Sequence, residues 1–121
     1  MKGSDNDHPI TIEPNPNRIR VVLGGTIVAE TTRALTLREA NYPPVFYIPR
    51  EDVELDLFDR TERHSHCPYK GDASYYKVTG GGLERRDAAW SYEAPLPAVG
   101  QIAGHMAFYP NKVDAIEEFS D

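Results

Sequence analysis

The sequence has a single cysteine, Cys67, so no intrachain disulfide can form and the fold must rest on its core alone. A lone thiol fits a reducing compartment. No apolar run approaches the ~20 residues needed to cross a bilayer. The first nine residues carry Asp5, Asp7 and His8 and no hydrophobic stretch, so no secretory signal is read there. These absences predict a soluble, cytoplasmic protein. Positive charge is also scarce: 13 Lys and Arg stand against 19 Asp and Glu, a net charge of −6. Such a surface repels phosphate backbones and anionic bilayers. Neither nucleic acid nor a membrane is therefore an expected partner.

Missing motifs exclude more. There is no Gly-x-Ser-x-Gly elbow for serine hydrolysis, and no phosphate-binding Gly-x-x-x-x-Gly-Lys-Ser/Thr loop. No Cys-x-x-Cys pair is present to hold a structural zinc. No segment is long enough for a βαβ crossover helix, which argues against a parallel nucleotide-binding sheet. No cofactor and no oligomeric state follow from the sequence.

What is present suits one small domain. The chain has 121 residues, and 40% of them are apolar, enough to bury one core. Residues 1–17 are polar and carry Pro9, Pro14 and Pro16; they read as an irregular N-terminal arm, with a single β domain over 18–121. Arg18 to Leu23 alternates, Gly24-Gly25 turns the chain, and residues 26–29 are β-prone, a strong hairpin signal. Further strands are expected over 31–39, 45–48, 52–59, 63–67, 74–78, 83–92 and 105–109, with Gly80-Gly81-Gly82 as a second hairpin turn. Residues 98–103 suit one or two helical turns. Val113, Ile116 and Phe119 have helical spacing in a segment too short to support a helix. The sum is a mainly β protein of about seven or eight short antiparallel strands, sandwich-like or barrel-like.

The densest chemistry lies in residues 64–72, HSHCPYKGD. His64 and His66 share a strand face, a spacing used for zinc, but Cys67 points the other way and His105 would have to complete the set. No metal site is assigned. Cys67 lies beside His66 and Lys70, whose charges favour a thiolate, so Cys67, His66 and Lys70 form a candidate nucleophilic centre. The competing reading is a buried cysteine that only packs. On a 31–39 strand, Arg33 and Glu39 share the face of Leu35 and Leu37, which points to pairing or a cleft or, equally, to strand ends that are simply exposed. Trp90 and Tyr92 share a strand face and, with Tyr47, Tyr69, Tyr75 and Tyr76, suit an aromatic wall or simply a core. Asp52, Glu54 and Asp56 fall on one face of a 52–59 strand, a cation site or, more often, a solvated edge.

Residues 18–25 (RIRVVLGG), 32–35 (TRAL), 44–53 (PVFYIPREDV), 66–76 (HCPYKGDASYY), 89–92 (AWSY) and 102–109 (IAGHMAFY) together resemble the domain-of-unknown-function family 427. The likeness spans about residues 18–115. It implies a β-tent fold, in which antiparallel sheets meet at an angle, and a family widespread in bacteria without an established role. Its nucleotidyltransferase-like label has no support here, since no paired-Asp motif follows a Gly-Ser turn. The motif positions that recur in it include Arg33, Glu39, Tyr47, Arg50, Asp52, Cys67, Lys70, Tyr75, Trp90 and Tyr92, which suggests one shared cleft.

Three functional expectations follow. The first is a small-molecule site: Arg33, Arg50 and Lys70 meet an anionic group, Trp90 and Tyr92 stack, Glu39, Tyr47, Asp52 and Tyr75 complete the lining, and Cys67 reacts if there is catalysis. The second is a non-catalytic ligand- or peptide-binding module. The third is a structural network with Arg33–Glu39 and Lys70–Asp72 ion pairs.

Overall fold

The computed structural model describes residues 8–120. It is mainly β, as the alternation predicts, with ten strands among those residues, all antiparallel. They are β1 (Ile10–Asn15), β2 (Arg18–Leu23), β3 (Thr26–Thr31), β4 (Ala34–Glu39), β5 (Val45–Tyr47), β6 (Phe58–Cys67), β7 (Gly71–Gly80), β8 (Leu83–Ser91), β9 (Ala107–Phe108) and β10 (Ala115–Phe119). They form three sheets, ordered β1-β4-β5, β10-β2-β3 and β6-β7-β8-β9, and none closes into a barrel. Short 3₁₀ turns occupy Arg50–Asp52, Leu55–Leu57, Pro97–Ile102 and Pro110–Lys112.

The long sheet of β6 to β9 is the middle layer. Successive side chains on a strand point to opposite faces, and those of β7 and β9 divide accordingly between two cores. Tyr76, Val78 and Phe108 join Ile19, Val21 and Val28 of the β2–β3 hairpin. Ala73, Tyr75 and Ala107 join Leu37, Tyr47, Val99 and Ile102. Both faces of β7 are therefore covered, and its residues 73–76 and 78 are buried. Reciprocal bonds between Ile48 and Met106, each 2.8 Å, tie the end of β5 to the approach to β9.

Four local expectations are corrected. Residues 10–15, read as part of an irregular arm, form β1, which pairs with β4 from Ile10↔Glu39 to Asn15↔Ala34. Pro14 is tolerated because β1 is an edge strand; residues 1–7 of that arm lie outside the described part. The 31–39 strand is broken at Thr32-Arg33, where the Thr31 hydroxyl accepts the Arg33 N–H at 2.9 Å and turns the chain. The 52–59 strand is instead the end of the Arg50–Asp52 turn, the Leu55–Leu57 turn and the first two residues of β6. Val53 bridges Ala29, and Glu54 N–H donates to Val28 O at 2.9 Å, so the segment docks on the edge of β3 and its carboxylates share no strand face. Val113, Ile116 and Phe119 belong to or precede β10, which adds to β2 in the register Ala115↔Val22. Here an open sheet edge decides what a short local pattern cannot.

Both glycine hairpins turn with φ positive at the two central residues: 61° and 78° at Gly24 and Gly25, 55° and 83° at Gly81 and Gly82. The two tips meet backbone to backbone. A Cβ on Gly81 would lie 1.8 Å from Gly24 O, whereas one on Gly25 or Gly82 meets nothing within 4 Å. Gly82→Ala should therefore cost about 1 kcal/mol from its positive φ alone. Gly81→Ala should cost about 3 kcal/mol or more, because two backbones must part. Urea denaturation of the two variants checks this; equal losses would show that the tips separate freely.

Candidate functional site

The sequence-predicted site residues do not form one cleft. They divide among a buried polar centre, two peripheral ion-pair groups and an apolar cavity.

The buried centre is built on Glu39, the last residue of β4. Lys70, in the turn between β6 and β7, donates from Nζ to Glu39 Oε1 at 2.5 Å. His8, just before β1, reaches Glu39 Oε2 at 2.5 Å and stacks flat on Tyr69, ring centroids 3.8 Å apart. Lys70 also lies 5.9 Å from the centroid of the Tyr92 ring. The pair is well covered, with side-chain exposures of 9% and 15% for Lys70 and Glu39. Burial alone would push the Glu39 carboxyl up, but the hydrogen bonds from Lys70 and His8 outweigh it and hold the group below its ordinary value. Burial pushes the phenols of Tyr47 and Tyr92 up, and the charge of Glu39 adds to the shift. Cys67 is half-buried against the same aromatic cluster. Glu39, Tyr47, Cys67, Lys70, Tyr75, Trp90 and Tyr92 thus do gather around one core.

His66 does not join them. It is exposed and meets Asp72 at 2.7 Å, while the next residue, Cys67, turns into the core. The expected Lys70–Asp72 and Arg33–Glu39 pairs are replaced, because Lys70 takes Glu39 and Asp72 takes His66. Arg33 sits at Asp52, 3.2 Å away, whose carboxylate also accepts from the Thr31 hydroxyl at 2.6 Å. Asp52 borders a polar hollow that Glu30, Glu51 and Glu54 also line. Among the described residues, no three His, Cys, Asp or Glu side chains converge as metal ligands.

Glu93 is the residue that sequence reasoning missed. Arg50 donates to its Oε2 at 3.1 Å, Tyr76 to the same oxygen at 2.5 Å, and Arg60 to Oε1. Both guanidinium groups lie 5.7 Å from the Tyr76 ring centroid. Burial pushes the Glu93 carboxyl up, and the bonds from Tyr76 and Arg60 bring it below its ordinary value. Its partners lie 17 to 43 residues away in sequence, and no local pattern marks it.

The apolar cavity opens between the sheets and measures about 480 Å³. Val21, Tyr42, Phe46, Trp90, Tyr109 and Ile116 are among its lining. Trp90 and Tyr109 form one wall, their centroids 4.5 Å apart. The Trp90 indole N–H donates to Tyr47 Oη at 3.3 Å, which fixes the ring. Tyr109 in turn stacks parallel to Tyr75 at 6.5 Å.

The Lys70–Glu39 pair yields a prediction. A carboxyl lowered by folding stabilises the fold fully above its unfolded value of about 4.5, and the contribution disappears as pH falls through the lower folded value. Glu39→Gln should strand the buried Lys70 charge and cost about 3 kcal/mol at pH 7. It should also flatten the fall in stability below pH 4.5. The Lys70→Met, Glu39→Leu double variant should recover most of the loss. Denaturant melts across pH read all three; a Glu39→Gln protein as stable as the parent at pH 7 would remove the pair from the account.

No helix among the described residues is long and apolar enough to cross a membrane. No curated protein matches the chain. The family model described as Domain of unknown function (DUF427) matches residues 11–118, from β1 into β10 and so through every sheet described above. The chain belongs to that family.

Proposed function

We propose that this domain is a small-molecule-binding module whose ligand enters the apolar cavity and lies against the Trp90–Tyr109 wall. The observation that carries the reading is the cavity itself. Its volume falls within the range of ligand sites, and its lining is mostly apolar and aromatic. A held indole offers a flat face without further ordering cost. The distribution of charge supports the same choice. Arg33, Arg50 and Lys70, expected to meet an anionic ligand, each already meet a carboxylate. Using them for a ligand would require breaking those pairs. Cys67 is not part of the cavity lining, so a reactive thiol is not needed for this function.

Trp90 is the one tryptophan in the chain, which makes the wall its own reporter. The neutral dye prodan should quench Trp90 emission saturably, at one equivalent, with a blue shift of its own fluorescence. Trp90→Ala should weaken dye binding on the order of tenfold, followed through the dye signal. Cys67→Ser should leave the affinity within about twofold. Absence of a saturable signal, or a Trp90→Ala protein that binds as well as the parent, would overturn the reading.

A further inference from the structure

We propose that the ligand of this cavity is an uncharged planar arene, its ring against Trp90 and Tyr109 and any polar group left at the mouth beside Tyr42. The inference rests on the cavity being the binding site.

None of the side chains lining the cavity carries a charge. Pro43, Pro44 and Pro110 supply no backbone N–H either. The polar atoms of the wall are already engaged: the Trp90 indole N–H donates to Tyr47 Oη at 3.3 Å, and the Tyr109 hydroxyl to Tyr75 Oη at 3.5 Å. An ion seated on this wall would lose its water and find no counter-charge, a cost that a neutral molecule avoids. The wall's own chemistry agrees. Burial pushes the Tyr109 phenol up to about 12, with the bond to Tyr75 adding to the shift, so an anion is resisted at that ring. A cation fares no better there. The Lys112 ammonium, outside the lining, already lies 5.7 Å from the Tyr109 centroid, and a cationic ligand would share the ring with a like charge.

The shape of the wall selects a flat ring. The planes of Trp90 and Tyr109 are inclined by 41°, so a flat ring lies face on to one of them and meets the other obliquely. Aromatic contacts add to the gain from buried area alone, and a saturated ring of the same outline forfeits that addition. Phe46 and Phe108 extend the aromatic lining. The wall is also held from behind. Tyr75, parallel to Tyr109, lies between a bulge in β6 and a bulge in β8, paired features on either side of β7. Its hydroxyl meets Ser65 at 2.8 Å. The rings therefore offer their faces and keep their polar atoms turned to the protein. Tyr42 is 66% exposed and stands where the cavity meets solvent, the place at which a ligand's polar group keeps its water.

The test displaces prodan with 2-acetylnaphthalene, its decahydro analogue, 2-naphthoate and the (2-naphthylmethyl)trimethylammonium ion. The neutral arene should bind on the order of tenfold tighter than either ion. It should bind about threefold tighter than the saturated ketone, and Trp90→Ala should shrink that gap. The preference over both ions should persist in 1 M salt, where attraction or repulsion by the net charge of −6 is screened. Either ion binding as tightly as the neutral arene, or a preference that vanishes in 1 M salt, would overturn this inference and leave the binding module standing. A saturated ketone that binds as well as the arene would do the same. Failure of prodan to bind would overturn the module and this inference with it.

Discussion

The contact between Lys70 and Glu39 holds the rest of this fold in register. It joins the last residue of β4 to the turn between β6 and β7, and so fixes the outer sheet of β1, β4 and β5 to the long middle sheet. It is also the contact that burial makes most costly to leave half-made, because either partner alone is a stranded charge. His8 takes the second oxygen of Glu39, and with it the start of β1 is drawn to the same point. One carboxylate thereby organises three stretches of chain that share no local sequence. The main chain of Lys70 contributes as well: its carbonyl accepts the Leu96 N–H at 2.9 Å, which anchors the segment leading to the Pro97–Ile102 turn. Val99 and Ile102 of that turn then close the second core.

The same principle recurs at lower burial. Glu93 gathers Arg50, Arg60 and Tyr76, and Asp52 gathers Thr31 and Arg33. Among the described residues, no buried side-chain nitrogen or oxygen is left without a partner. A polar network is useful for specifying one arrangement only when it is complete. This completeness explains the division seen in the molecule. Arg33, Arg50 and Lys70 each meet a carboxylate, while the open space lies elsewhere and is lined by apolar groups.

The two glycine hairpins were legible in the sequence because a type I′ turn demands positive φ at both positions and glycine supplies it locally. The alternation of β2 was legible for the same local reason, as was the β-prone, tyrosine-rich middle of β7. The strands that escaped, β1 and β10, are edges whose existence depends on a partner: β4 for one and β2 for the other. Asp52 to Asp59 alternates well enough for a strand, yet docking of Val53 and Glu54 on β3 overrides it. Around the site, the types of residue were legible and their pairing was not. Arg33 and Glu39 read as one strand face in the sequence, but the break at Thr32-Arg33 separates them, leaving Arg33 exposed beside Asp52 and Glu39 covered against Lys70. Glu93 carried no signal because it follows a strand and its partners come from β6, β7 and the Arg50–Asp52 turn.

An open apolar cavity is not neutral in a domain of this size. Unfilled space forfeits dispersion contacts on every wall, and destabilisation grows with cavity volume. A larger side chain at Val45 or Ile116 would narrow the space. Several features keep it open. Trp90 is held upright by Tyr47, Tyr109 is braced by Tyr75, and Pro43, Pro44 and Pro110 stiffen the rim. Tyr75 in turn is fixed by Ser65 at 2.8 Å and by the paired bulges around it. Rigid walls around empty space lower the ordering cost of binding, which is what preorganisation supplies. The ion pairs that take up the charged motif residues lie outside that lining, so the cavity's walls are set by aromatic and proline side chains instead.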